Sequence, residues 1–158
     1  MRIGRATNGH SCEWEMQLKM CEWLNHNKIL FKDEIRVSEI GRIADFILLI
    51  NGNQLVNIEA KCNAFDCLLK QLDDHAIYCD YSFAFITDVC LTPKWFKLKL
   101  IDKGYGLIVY NTTGQTITEV LEAHSNKPRQ KNIRHKVASI IRGNAEDKSQ
   151  INLYRGGK

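Results

Sequence analysis

Three side chains in the stretch RIADFILLINGNQLVNIEAK, Arg42 to Lys61, could do chemistry together: Asp45, Glu59 and Lys61. Two apolar runs flank Asn51-Gly52-Asn53, so the stretch reads as strand, turn, strand. Glycine or asparagine can supply the left-handed bulge position of a three-residue hairpin loop. With that loop Ile50 faces Gln54, and Asp45 falls opposite Glu59. A two-residue Gly52-Asn53 loop would pair Asp45 with Ala60 and turn the carboxylates to opposite faces. Glu59 and Lys61 share a face in either register, since strand side chains alternate.

Carboxylates directly opposed across a ladder have Cβ atoms about 5 Å apart. Among apolar neighbours they repel by a few kcal/mol, so one takes up a proton or a cation sits between them. Two hard oxygen ligands that leave room for water and phosphate suit magnesium, with manganese able to substitute. Lys61 adds a mobile point charge beside them. Such a set can hydrolyse a phosphodiester, with an activated water attacking and Lys61 orienting it or neutralising charge on the phosphorane. The competing reading is a partly exposed salt bridge. Glu146-Asp147-Lys148 shows the same spacing in a polar stretch without a strand and carries no such expectation.

The remaining chain supplies elements to hold this hairpin. Ser11 is a candidate N-cap for a helix in which Trp14, Leu18, Cys21 and Leu24 recur at helical spacing, ending near Asn25-His26-Asn27. Residues 29–37 read as a strand. Positions 65, 68, 69, 72, 76 and 79 mark one face of a helix, and residues 81–87 a further strand. Thr92-Pro93 opens a helix that stops at Gly104, and residues 105–111 form a last core strand. Ile133, Val137, Ile140 and Ile141 line one side of a short basic helix. The order is α-β-β-β-α-β-α-β plus that helix, which predicts an α/β or α+β fold around a mixed sheet. Residues 1–10 read as a mobile basic arm, 11–111 as the core domain and 112–158 as a basic extension.

At 158 residues and 44% hydrophobic content the chain suits one domain with a real core. No charged-then-apolar start resembles a signal peptide, and no apolar run is long enough to span a bilayer, so a cytoplasmic protein is expected. The six cysteines show no metal-knuckle spacing, which disfavours a small zinc protein and leaves reduced, buried thiols as the expectation. Residues 125–158 hold nine basic against two acidic residues, and the preceding segment thirteen against sixteen. A slightly acidic body with a basic C-terminal segment fits a polyanionic partner or a solvated tail.

Asp45 with Glu59-Ala60-Lys61, on the second and third strands of this element order, resembles the PD-(D/E)XK nuclease superfamily over roughly residues 11–111. The resemblance implies a restriction-endonuclease-like core and a magnesium-dependent DNA endonuclease. Asp45, Glu59 and the Ala60 carbonyl would bind the metal, with Lys61 acting on the nucleophile. It also implies a metal-linked glutamate on the first helix, for which Glu15 is preferred to Glu13. GRIADF is similar to the Arg-Ala-Asp stretch of some members, which gives Arg42 a phosphate or a site carboxylate to touch. Asp74-x-x-x-Tyr78 stands where some members carry Gln-x-x-x-Tyr, making Lys70, Gln71 and Tyr78 DNA-contact candidates. His75 reads as a satisfied edge residue. Arg129, Lys131, Arg134 and Lys136 would grip phosphates without reading sequence. A chain without an appended recognition domain is similar to the structure-selective members, Holliday-junction resolvases and small repair endonucleases, which work as homodimers. A sequence-specific restriction-type enzyme and a non-catalytic nucleic-acid-binding module are the alternatives.

Overall fold

Three short turns and two helical crossovers join six strands into a mixed sheet flanked by four helices, an α+β arrangement. The computed structural model describes the backbone of residues 8–155 other than residue 90, and side chains within 12–143. The elements are α1 (Asn8–His26), β1 (Leu30–Val37), β2 (Arg42–Ile50), β3 (Gln54–Ala60), α2 (Phe65–Ala76), β4 (Tyr81–Thr87), α3 (Lys94–Lys103), β5 (Gly106–Asn111), β6 (Thr116–Leu121) and α4 (Lys131–Arg155). Spatial order follows chain order, β1 to β6. β3–β4 and β4–β5 are parallel, each joined through a helix, and the other neighbours are antiparallel. No described helix is long and apolar enough to cross a membrane.

The expected order of elements holds through β5. β6 was not expected: TITEVL is an exposed edge strand whose pattern lacks clean alternation, yet it pairs with β5 from Asn111↔Thr116 onward. Residues 112–143 of the expected extension are therefore not an appendage to the core. β6 completes the sheet, and α4 buries Ile133, Val137, Ala138 and Ile141 against Ile35, Val37, Ile47 and Leu55. Of the arm expected over 1–10, residues 8–10 belong to α1 and the rest lie outside the described residues.

α1 covers the opposite face of the sheet; of the expected stripe Leu24 is buried and Cys21 packs partly, but Met16 and Met20 take the places expected of Trp14 and Leu18. Met16, Met20 and Leu24 pack on Phe46, Leu48, Ile58, Phe85 and Tyr110. Trp14 and Leu18 remain 37% and 41% exposed. Both stripes are apolar at helical spacing, so only the partner surface selects between them. α2 and α3 cover β4 and β5 on the α4 side, through Leu68, Leu72, Phe96 and Leu100. Gly104 ends α3 at φ 75°, a conformation that glycine adopts without a Cβ clash.

The reduced-thiol expectation fails at one pair. Cys12 on α1 and Cys62 just beyond β3 form a disulfide with a Cα separation of 6.4 Å. Their sulfurs come within bonding range because α1 lies over the end of β3. Cys67 is exposed and Cys79 buried, while Cys90 lies outside the described residues. Closing a loop of 50 residues removes unfolded-chain entropy worth about 4 kcal/mol. Reductant should therefore lower the urea midpoint of the wild type and leave Cys12→Ser unmoved. An identical midpoint with and without reductant would show that the bond adds nothing.

Candidate functional site

The hairpin adopts the three-residue loop. Ile50↔Gln54 through Phe46↔Ile58 are paired, and Asp45 and Glu59 lie just past the last pair. Asn51 and Gly52, at φ 52° and 80°, supply the left-handed positions. Beyond Phe46↔Ile58 the ladder gives way to side chains. The Asp45 N–H donates to Glu59 Oε2 at 3.1 Å, and the Ala60 N–H donates to Asp45 Oδ2 at 2.8 Å. Each carboxylate is thus pinned through one oxygen by a backbone N–H of the strands it bridges. Glu59 Oε1 is buried and accepts no hydrogen bond.

A reversal of strand alternation accompanies Asp45. Phe46 and Leu48 pack under α1, yet Ala44, of the same parity, packs in the cluster under α4. On β1 the same switch separates Phe31 from Ile35. The register is unchanged across it, Asp33↔Phe46 and Ile35↔Ala44, and Glu34 between them has φ 50°. Both strands therefore break their pleat at Glu34 and Asp45.

Burial drives the electrostatics of the pair. It raises the Asp45 carboxyl to about 6, with Glu13 and Glu34 adding to the rise and the Ala60 N–H and Lys61 opposing it. Glu59, fully buried, is pushed well above the ordinary carboxylate range by burial and then by the Asp45 charge. Lys61 lies close enough to act on both carboxyls but forms no ion pair among the described residues. Its backbone N–H is tied to the Phe85 carbonyl of β4 at 3.1 Å.

The first-helix glutamate beside this pair is Glu13, not Glu15. Glu13 Oε1 faces the Cys62 N–H at 3.4 Å, next to Lys61, whereas Glu15 accepts a hydrogen bond from the Tyr110 hydroxyl at 2.8 Å. Two residues of helix separate their directions by over half a turn, and the docking of α1 decides which one meets the hairpin. Glu34 and Asn57 were also missed. Asn57 precedes Glu59 by two residues on the same face, is buried, and has neither amide atom hydrogen-bonded. Its signal was a polar residue inside an apolar strand.

The proposed DNA contacts divide. Tyr78 is buried and its hydroxyl meets His75 Nδ1 at 2.6 Å, so it is unavailable to a ligand. His75 is buried too, and burial lowers its pKa to about 4, leaving it neutral at physiological pH. Arg42 pairs with Asp74 at 2.9 Å and Lys70 with the same carboxylate at 3.6 Å, while Gln71 is half-buried beside them in sequence. Arg134 pairs with Asp80 at 2.7 Å and also donates to the Asn53 carbonyl. Lys136 pairs with Glu39 at 2.9 Å. These two cations therefore fasten α4 to the loops at the ends of the strands. Arg129 and Lys131 are exposed.

Among the described residues, no group of three or more His, Cys, Asp or Glu is arranged to hold a metal ion. The available donors are Asp45 and Glu59, with the Ala60 carbonyl expected from sequence. They fit magnesium in one specific respect: an unsatisfied, buried Glu59 oxygen stands beside a second carboxylate, and magnesium accepts few protein ligands when waters complete its shell.

Fold and site together define a mixed α/β protein with an acidic pair, Glu59 buried and Asp45 half-buried, at the point where a central hairpin splits. No protein-family model matches the chain, and no curated protein matches it. A solved structure, the SPO1766 protein of unknown function from Silicibacter pomeroyi, is similar in fold at TM-score 0.64 and 16% identity, covering 92% of this chain and 94% of that one.

Proposed function

We propose that the protein is a magnesium-dependent DNA endonuclease that selects branched or otherwise structured DNA. The observation that carries this reading is the reciprocal clasp of Asp45 and Glu59, which holds two carboxylates together at a cost in burial and repulsion. Their resemblance, with Lys61, to the nuclease motif supplies the reaction class. Bound magnesium would supply Lewis acidity to the phosphodiester. Asp45 and Glu59 would hold it, with Glu13 replacing Glu15 as the nearby helix carboxylate. Lys61, tethered by its backbone but in no ion pair among the described residues, would orient the attacking water or meet charge on the phosphoryl oxygens.

The test is a cleavage panel on linear duplex, single strand, flap and four-way junction, in magnesium, manganese and EDTA. Metal-dependent cutting strongest on the junction or flap is expected. Cutting of plain duplex at one sequence would instead indicate the restriction-type enzyme. Binding in EDTA with no cutting in either metal would leave a nucleic-acid-binding module. A resolvase-like action also requires two sites, so sedimentation should report a homodimer.

A further inference from the structure

Between α4 and the β2–β3 turn lies a cavity of about 380 Å³ lined by Lys131, Arg134, His135 and Arg142. No carboxylate lines it among the described residues. We infer that this cavity is a phosphate-binding site, and that its ligand is a backbone phosphate of nucleic acid. The inference rests on the DNA reading above for its ligand, but not on the carboxylate pair.

The cations are arranged, not scattered. Residues 131, 134, 135, 138 and 142 recur at helical spacing, on a face adjoining the one that Ile133, Val137 and Ile141 bury. Ala138 sits one turn from both arginines, and its small side chain leaves the space between them. Arg134 is held by Asp80 and the Asn53 carbonyl, and Arg142 donates to the Gly52 carbonyl at 2.6 Å. Both guanidiniums are thereby fixed by the turn before any ligand arrives, which reduces the ordering cost of binding. Asp80 neutralises only Arg134, so the charges of Lys131 and Arg142 remain uncompensated among the described residues.

The chemistry suits an oxyanion such as phosphate more than a base. Arginine offers paired N–H donors suited to phosphate oxygens, and lysine a point charge. Among the described residues no Phe, Tyr or Trp lines the cavity, so it lacks the broad rings on which bases stack best. The readout is therefore sequence-neutral. Glu59 lies six positions along the chain from Asn53, about 20 Å at strand rise. A phosphate held here lies remote from the carboxylate pair and would anchor the DNA without taking part in cleavage.

The experiment is fluorescence anisotropy with a labelled duplex, in EDTA and across a salt series, so that it does not depend on cleavage. The Lys131→Ala/Arg142→Ala double variant is compared with Lys97→Ala/Lys99→Ala, which removes the same charge from the exposed side of α3. Unchanged thermal melts verify the fold of each. The pocket variant should bind about tenfold or more weakly at moderate salt, with the salt slope reduced by about two; the α3 variant should bind as wild type. The His135 ring resonances should shift with both inorganic phosphate and DNA. Equal losses in the two double variants, or none in the pocket variant, would overturn the site. Resonances that respond to inorganic phosphate but not to DNA would overturn the nucleic-acid source.

Discussion

Lys61→Ala should reduce single-turnover cleavage by about a hundred- to ten-thousand-fold while leaving DNA affinity in EDTA and the urea midpoint close to wild type. The size follows from the role: a positioned charge acting on the nucleophile or phosphoryl oxygens contributes mainly in the transition state. The unchanged stability follows from the structure. Lys61 makes no ion pair among the described residues, and its fixed contact, to the Phe85 carbonyl, is made by the backbone and survives the substitution. Lys61→Arg should not restore the rate fully, because a planar guanidinium places its donors differently and does not give up a proton. Retained cleavage in Lys61→Ala would remove this residue from the chemistry. A large loss of stability would show instead that its charge holds the carboxylate pair.

Asp45→Asn should make the metal-free protein more stable at pH 7.5 while abolishing metal-dependent cutting. The folded-state Asp45 carboxyl titrates at about 6 against an ordinary 3.8, chiefly through burial. The folded protein therefore keeps a proton that the unfolded chain has released. Stability consequently falls as pH rises from about 3.8 to about 6, and the full penalty, about 3 kcal/mol, stands above that window. Asparagine carries no charge yet can still accept from the Ala60 N–H, and it removes the charge that is the second cause of the rise at Glu59. Urea unfolding in EDTA at pH 4.5 and 7.5 should show a smaller pH dependence for the variant. Magnesium at pH 7.5 should raise the wild-type midpoint, because a ligand that binds only the folded state stabilises it, and should leave the variant unmoved. A variant no more stable than wild type at pH 7.5 would show that the pair imposes no such cost.

Both predictions descend from a hairpin whose register was legible in sequence. Asn51-Gly52-Asn53 fixed the loop length and the pairing as far as Phe46↔Ile58, because turn chemistry acts over only a few residues, whereas the break in alternation at Asp45 was not legible. Element order through β5 was legible for the same reason. The wrong glutamate on α1, the wrong apolar stripe on that helix and the missed disulfide share one cause. All three depend on how α1 is rotated as it docks, which packing against Phe46, Leu48 and Phe85 settles.

The basic segment divides in the same way. Its composition marked it as cationic, but not where each charge would go. Asp80 and the Asn53 carbonyl claim Arg134, Glu39 claims Lys136, and the turn carbonyl at Gly52 holds Arg142 at the cavity edge. Sequence alone determined the chemical types, their local spacing and the hairpin that opposes two carboxylates. Tertiary structure decided which charges were spent on holding elements together and which were left for a ligand, because an ion pair forms between residues that folding brings together from distant parts of the chain.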